Sequence, residues 1–126
     1  MKASTSAKFV TIEAGEYSTC ALDTAGAIQC WGGGYSFCAN TGAQLTPRVV
    51  AGGRGYVSMS RNEMLCGLTA GGEVDCWTTY DNAPTTIPLP KKANSVSASD
   101  QACAVSVTKV LYCWRGTNGA VSQMGQ

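Results

Sequence analysis

Apolar and polar residues alternate in short runs along the chain, which is the side-chain period of a β-strand. The first run is 9–12, Phe-Val-Thr-Ile, and similar runs recur as far as residue 115. Glycine, proline or polar residues separate the runs, and no stretch has the apolar spacing of an amphipathic helix. The pattern therefore predicts an all-β fold of short strands joined by turns.

One pattern of alternation occurs three times. In the first copy, residues 20–22 (Cys-Ala-Leu) and 28–31 (Ile-Gln-Cys-Trp) flank a turn at 24–26. The copies at 66–77 and 103–114 keep two cysteines with nine residues between them and a tryptophan directly after the second. Recurrence at a spacing of about 40 residues, in segments made of strands, is typical of propeller blades or a β-array.

Each copy is interpreted as a hairpin that brings its two cysteines face to face. With the first hairpin centred on Ala25, strand alternation puts Leu22 opposite Ile28 on the cysteine face. Trp31 then lies on the other face. The predicted apolar pairs of the other copies are Leu68 with Val74 and Val105 with Leu111. The predicted cysteine pairs are Cys20 with Cys30, Cys66 with Cys76, and Cys103 with Cys113.

These cysteine pairs are disulfide candidates. Facing residues in a non-hydrogen-bonded antiparallel pair have Cα atoms about 4.5 Å apart, at the short end of the range of about 4.4–6.8 Å that a disulfide accepts. Closing such a loop is worth about 3 kcal/mol in the chain-entropy account. Reduced, buried cysteines are the alternative. A zinc site is disfavoured, because the chain has no histidine and no close Cys-x-x-Cys pair.

Composition narrows the classes of function. The 126 residues are the size of one domain, predicted to span 1–126, and 13% are charged, against about 25% in a typical globular domain. The net charge is +1 and there is no basic run, so the sequence lacks the basic patch that is typical of a nucleic-acid-binding protein. No apolar stretch is long enough to cross a membrane. Lys91-Lys92 is interpreted as a solvated loop end.

Seven cysteines in a chain of this length suit an oxidising compartment. Residues 1–8 nevertheless contain no apolar run long enough for a signal peptide. The compartment stays open: an extracytoplasmic location is favoured if the disulfides form, and the alternatives are a cytosolic protein or a signal already removed. Cys38, the seventh cysteine, is either an incidental thiol or a site of pairing between chains.

Nothing in the sequence predicts a catalytic, cofactor-binding or metal-binding residue. A catalytic cysteine needs a neighbouring base, and the chain has no histidine. The glycines at 32–34 are not followed by the Lys-Ser/Thr of a phosphate loop, so they are interpreted as a turn. The carboxylates are scattered, and most are expected to be solvated. The three tryptophans are predicted to pack between neighbouring blades rather than to bind a ligand.

The candidate binding residues are aromatic and polar side chains of two loops, since aromatic residues are enriched at protein interfaces. They are Tyr35, Phe37, Tyr80, Asp81 and Asn82. The last three also suit sugar stacking and hydrogen bonding, which keeps a carbohydrate ligand open.

The repeat resembles that of the regulator of chromosome condensation family, and most closely its cysteine-bearing bacterial variety. The resemblance rests on Gly15, 18–22 (Ser-Thr-Cys-Ala-Leu), Gly26, Ile28 and 30–32 (Cys-Trp-Gly), and covers most of 9–125. It implies a β-propeller of four-stranded blades, usually seven. Here it implies three blade units, at about 9–50, 56–90 and 95–126.

Three blades are too few to close a ring, since propellers have about four to eight. Two chains pairing into a six-bladed ring, a fragment of a longer propeller, or a small array with covered edges all remain open. The tail after residue 115 shows no strand pattern, so we expect the third blade to lack its last strand. Residues 1–8 of a partner chain are then predicted to complete it.

The resemblance implies a non-catalytic scaffold that presents loops to a protein partner or to another copy of itself. Members of the family include a nucleotide exchange factor for a small nuclear GTPase and a secreted inhibitor of β-lactamases. Neither activity maps onto residues of this chain. A lectin-like protein is the alternative, and an enzyme is disfavoured by the absence of histidine and of clustered carboxylates.

Overall fold

The structure, a computed structural model, describes residues 8–15, 18–32, 44–50, 52–78, 83–99, 101–117 and 120–124. These residues form twelve β-strands and no helix, so none of them could span a membrane as a helix. The all-β prediction is confirmed. The strands are β1 (Phe9–Ala14), β2 (Ser18–Asp23), β3 (Ile28–Gly32), β4 (Gln44–Val49), β5 (Ser58–Arg61), β6 (Leu65–Leu68), β7 (Val74–Trp77), β8 (Thr85–Thr86), β9 (Ala93–Ala98), β10 (Gln101–Ser106), β11 (Leu111–Arg115) and β12 (Ser122–Met124).

The strands form three antiparallel sheets of four, each in chain order: β1–β4 is sheet 1, β5–β8 is sheet 2 and β9–β12 is sheet 3. Neighbouring sheets meet through their first strands, because β5 contacts β1 and β2, and β9 contacts β5 and β6. The sheets therefore fan out from β1, β5 and β9 as three propeller blades. In the described part of the chain they do not close into a ring, which confirms the half-propeller prediction.

The three hairpins have the predicted register. In the first, Cys20 pairs with Cys30 and Leu22 with Ile28. The second and third hairpins repeat it, from Cys66 opposite Cys76 to Cys103 opposite Cys113. All three cysteine pairs are joined at disulfide distance, with Cα atoms 4.1 Å apart in each. The other facing pairs are Leu68 with Val74 and Val105 with Leu111.

The expectation that sheet 3 lacks its last strand is wrong. Strand β12 pairs with β11 and places Met124 opposite Leu111. Its three residues are exposed and only one is apolar, so the strand has no alternating pattern to reveal it. The position predicted for residues 1–8 of a partner chain is already filled, and that prediction is wrong with it.

Sheet 2 has a short last strand. Strand β8 is limited to Thr85–Thr86. Pro88 and Pro90 have no N–H to donate to a ladder, so the chain leaves the sheet before them. Two backbone bonds, from Ile87 N–H to the Val74 carbonyl and from Leu89 N–H to the Ile87 carbonyl, hold the exit.

The three hairpin turns share one backbone conformation. Gly26 has φ 90°, Gly72 has φ 88°, and Lys109, at the same repeat position, has φ 69°. The first two are glycines, which adopt a positive φ without steric cost, and the third shows a lysine adopting it. Asp23 fixes the first turn, because its Oδ1 accepts hydrogen bonds from the N–H groups of Ala25 and Ala27, each at 2.9 Å.

Candidate functional site

Each sheet has two unlike faces, and these define how the sheets meet. The disulfide face carries the cysteine pair, and the tryptophan face carries the tryptophan that follows the second cysteine. In the first joint, the disulfide face of sheet 1 packs on the tryptophan face of sheet 2. One buried cluster contains both sides of this joint: Cys20, Leu22, Ile28, Cys30 and Val50 from sheet 1 and the segment after it, and Tyr56, Met59, Leu65 and Trp77 from sheet 2 and the segment leading into it.

The second joint repeats the first. A second cluster joins the disulfide face of sheet 2, with Cys66, Leu68, Val74, Cys76 and Ile87, to the tryptophan face of sheet 3, with Ala93, Ala98, Ala102, Ala104 and Trp114. Trp77 is 0% exposed and Trp114 is 2% exposed. The prediction that these tryptophans pack between blades is confirmed for both.

The disulfide face of sheet 3 has no sheet packed on it in the described part of the chain. Val105, Leu111 and Met124 are 37%, 38% and 45% exposed. Register places them at the positions that are at most 5% exposed on the first two sheets, which are Leu22, Ile28, Val50, Leu68, Val74 and Ile87. Cys103 is partly exposed, whereas all four cysteines of the other two disulfides are at 0%.

The tryptophan face of sheet 1 is the matching open end. Trp31 is half-buried and its ring lies 6.3 Å from that of Phe9. Ile12 and Val49 on the same face are 61% and 58% exposed. Ile12 corresponds to Met59, since each lies opposite the residue that follows the first cysteine of its hairpin. The two ends of the fan are therefore the two unlike halves of one joint.

A buried ionic network lies beside the first joint. Asp75, which is 1% exposed, accepts hydrogen bonds from Arg54 Nε at 2.8 Å and Nη2 at 2.9 Å. The hydroxyls of Tyr56 and Thr86 each donate to it at 2.7 Å. Arg54 also donates to Glu73 at 3.1 Å, where both side chains are about half exposed. The network ties the segment between sheets 1 and 2 to strand β7.

The network shifts the ionisation of its members. Burial alone would raise the pKa of Asp75, but the hydrogen bonds from Arg54, Thr86 and Tyr56 outweigh it, so the pKa of Asp75 lies below 3.8. Burial raises the pKa of the Tyr56 hydroxyl, and the Asp75 charge raises it further. Donation to Asp75 raises the pKa of Arg54. Asp75 is therefore an anion and both partners are protonated at neutral pH.

The network is not evident from the sequence. The expectation of solvated carboxylates is wrong for Asp75 and Asp23, since both are buried. One signal is present, because Asp75 stands directly before the second cysteine of its hairpin. Gln29 and Tyr112 hold that position in the other copies, so a charge there marks the second hairpin as different.

Two small cavities lie at equivalent places along the fan. One of about 220 Å³ lies between the turn of sheet 1 and residues 53–56, and one of about 240 Å³ lies between the turn of sheet 2 and residues 88–92. Each is bounded by the hairpin turn, the end of the last strand and the segment that enters the next sheet. They mark the clefts between neighbouring blades.

The loop residues predicted to bind a ligand lie outside the described residues. They are Tyr35, Phe37, Tyr80, Asp81 and Asn82, and Cys38 lies outside them as well. Their binding role stays a prediction. Across the described ranges, no three Cys, Asp or Glu side chains are grouped as a metal site would require.

No protein-family model matches the chain, and no curated protein matches it. Solved structures do. The human WBSCR16 crystal structure superposes with a TM-score of 0.81 at 12% identity, over 94% of this chain and 38% of that one. Prp20p from Saccharomyces cerevisiae gives 0.73 at 16%, over 94% and 38%. A structure of Kap60 bound to yeast RCC1 (Prp20) gives 0.66 at 19%, over 85% and 32%.

The fold is that of RCC1-family β-propeller blades. The fold implied by the sequence resemblance is thereby confirmed, whereas the cysteine-bearing bacterial variety stays a prediction. The chain spans less than two fifths of the length of each of these neighbours. At these identities the likeness concerns the fold, and the neighbours' partners do not transfer with it.

Proposed function

We propose that the protein is a non-catalytic interaction module of propeller blades, which binds a protein partner or a second copy of itself. The observation that carries the proposal is the exposure of Val105, Leu111 and Met124 at positions that are buried on both other sheets. An apolar patch of this kind on a folded protein marks an interaction site. The patch has the composition of a blade joint, so the expected partner is a protein surface.

The structural neighbours support a role of this class. Prp20p binds Gsp1p and histones, and yeast RCC1 (Prp20) forms a complex with Kap60. These partners belong to those proteins. They show only that proteins containing this fold bind other proteins.

A photo-crosslinking experiment tests the proposal. Leu111 is replaced with p-benzoylphenylalanine, the protein is irradiated in cells of its source organism, and the cross-linked peptide is identified by mass spectrometry. Position 57, a valine that is 59% exposed away from both end faces, is the matched control. We expect position 111 to cross-link to a defined peptide of one protein, either this one or another. A yield at 111 no higher than at 57 would contradict a binding role for this face.

The carbohydrate alternative rests on Tyr80, Asp81 and Asn82, and no contact among the described residues favours it. It stays a prediction that a glycan array tests, with binding of one glycan class that is lost in Tyr80→Ala as the supporting result.

A further inference from the structure

The two open ends of the fan are halves of the same joint, and that joint already occurs twice inside the chain. We propose that the disulfide face of sheet 3 packs on the tryptophan face of sheet 1 of a second copy, and that two chains thereby close a ring of six blades. The inference rests on the proposed function, since it takes the exposed disulfide face to be a protein-binding surface and names its occupant.

On the disulfide side, the residues needed for the joint are in place. Val105 and Leu111 face each other across the hairpin, as Leu68 and Val74 do on sheet 2. Met124 pairs with Leu111 from the last strand, where Ile87 follows the last strand of sheet 2. All are apolar side chains of similar size. The exposed disulfide face of sheet 3 therefore resembles the disulfide face of sheet 2, on which sheet 3 packs.

The tryptophan side has the aromatic and aliphatic residues of the joint except one, because Thr19 stands where Leu65 stands on sheet 2. Within the first joint Trp77 shares a buried cluster with the Cys20–Cys30 disulfide. Trp31 holds the position of Trp77, and Ile12 holds that of Met59. The Phe9 ring lies 6.3 Å from that of Trp31, as the Tyr56 ring lies 5.8 Å from that of Trp77. In the assembled ring Trp31 of one chain would therefore lie against the Cys103–Cys113 disulfide of its partner.

The charged residues that register places on the two end faces lie at strand ends. On sheet 3, Ser95, Ser97 and Ser122 lie beside the disulfide and the apolar side chains, and the exposed Arg115 lies at the end of β11, opposite Gln101. On the tryptophan face of sheet 1, Asp23 already accepts hydrogen bonds from Gln29 Nε2 and from two backbone N–H groups. Burying an unpaired charge is costly, and both Arg115 and Asp23 lie at the edge of their face, where the Arg115 guanidinium can stay in contact with water.

The asymmetry of the joint determines the assembly. A contact between unlike faces is head-to-tail, and such contacts either close into a ring or continue as a filament. Three blades from each of two chains give six, which lies within the range of about four to eight found in propellers. Closure forms two identical joints and leaves no end face exposed.

Single-face variants test the inference with purified protein and light scattering on a sizing column. Leu111→Lys blocks the disulfide face and Ile12→Lys blocks the tryptophan face, while Val57→Lys is the control. All three residues are exposed, so the variants should fold, and circular dichroism is used to check that they do. We expect the wild type and the control at twice the 13.1 kDa of one chain, and each blocked variant at 13.1 kDa. The dissociation constant should rise about 100-fold or more for each blocked variant.

Mixing the two blocked variants makes the test specific. Each retains the face that the other has lost, so an equimolar mixture can form one joint and should recover a dimer that neither variant forms alone. A wild-type monomer at every concentration, a dimer that survives both substitutions, or masses that grow beyond the dimer would each overturn the two-chain ring. If cross-linking from position 111 then still identifies another protein, the proposed function stands and only its partner changes.

Discussion

Arg54 and Asp75 form a two-point ion pair across 21 residues of sequence, with Nε–Oδ2 at 2.8 Å and Nη2–Oδ1 at 2.9 Å. Arg54 lies in the segment that leaves sheet 1, and Asp75 lies in strand β7 of sheet 2. The pair therefore holds the segment between the two sheets against sheet 2. Because Asp75 is buried and Arg54 is about half exposed, the carboxylate depends on the pair more than the guanidinium does.

Asp75→Asn should destabilise the fold. The substitution keeps the shape but removes the charge that accepts four hydrogen bonds, and an amide nitrogen placed against Arg54 repels it. We expect the free energy of unfolding in urea to fall by about 2–3 kcal/mol. The matched control is Glu73→Gln, which breaks the exposed ion pair to the same arginine and should cost about 0.5 kcal/mol or less. Equal losses in the two variants would show that the buried pair contributes no more to the free energy of unfolding than the exposed pair does.

Stability should fall in acid. Burial opposes ionisation of Asp75 and Asp23, but their hydrogen bonds prevail and hold both pKa values below 3.8 in the folded state. The unfolded chain therefore binds more protons in acid. The stabilisation is complete above the ordinary pKa and is lost as pH falls through the lower folded-state values.

Urea unfolding as a function of pH measures this effect. We expect a plateau above about pH 5 and a decline below about pH 4 that is shallower in Asp75→Asn. A free energy of unfolding that stays constant down to about pH 2 would show that neither carboxylate is stabilised by folding.

Two adjacent glycines should differ in how well they tolerate alanine. Gly72 has φ 88°, and a Cβ on it would lie 2.6 Å from the Cβ of Lys92. Gly71 has no positive φ, and its nearest neighbour would be 3.8 Å away. Gly72→Ala should lower the free energy of unfolding by about 2 kcal/mol or more. Gly71→Ala should change it by less than about 1 kcal/mol in either direction. Similar losses in the two variants would contradict the turn geometry.

The three disulfides should differ in their rates of reduction. Cys103 is partly exposed on the open face of sheet 3, whereas the other two bridges are fully buried beneath the next sheet. A brief treatment with dithiothreitol followed by alkylation and mass spectrometry should label Cys103 and Cys113 first. In the proposed ring this bridge is covered, so its labelling should slow as protein concentration rises. Equal labelling of all three pairs at low concentration would contradict the difference in access.

The hairpins are predictable from the sequence because their determinants are local and repeated. The facing of Cys20 with Cys30 follows from strand alternation alone, and three copies of the pattern confirm one another. The placement of Trp77 and Trp114 between blades has the same basis. Strand β12 escapes prediction because a three-residue strand with one apolar residue, Met124, carries almost no periodic signal.

The candidate site is not predictable in the same way. Asp75 draws its partners from 11 to 21 residues away, and only the folded chain brings them together. The open disulfide face is beyond prediction for a different reason. Val105 and Leu111 are the same kind of residue as Leu68 and Val74, so the sequence does not distinguish a face that is covered from one that is not.

The burial of two disulfides beneath the next blade also imposes an order in time. Once sheet 2 covers Cys20–Cys30 and sheet 3 covers Cys66–Cys76, an oxidant has no route to those sulfur atoms. Each of these two bridges must therefore form before the next sheet packs over it, whereas no sheet covers the Cys103–Cys113 bridge in the described part of the chain. A chain that packs while still reduced would keep four thiols sealed inside, out of reach of any later oxidation.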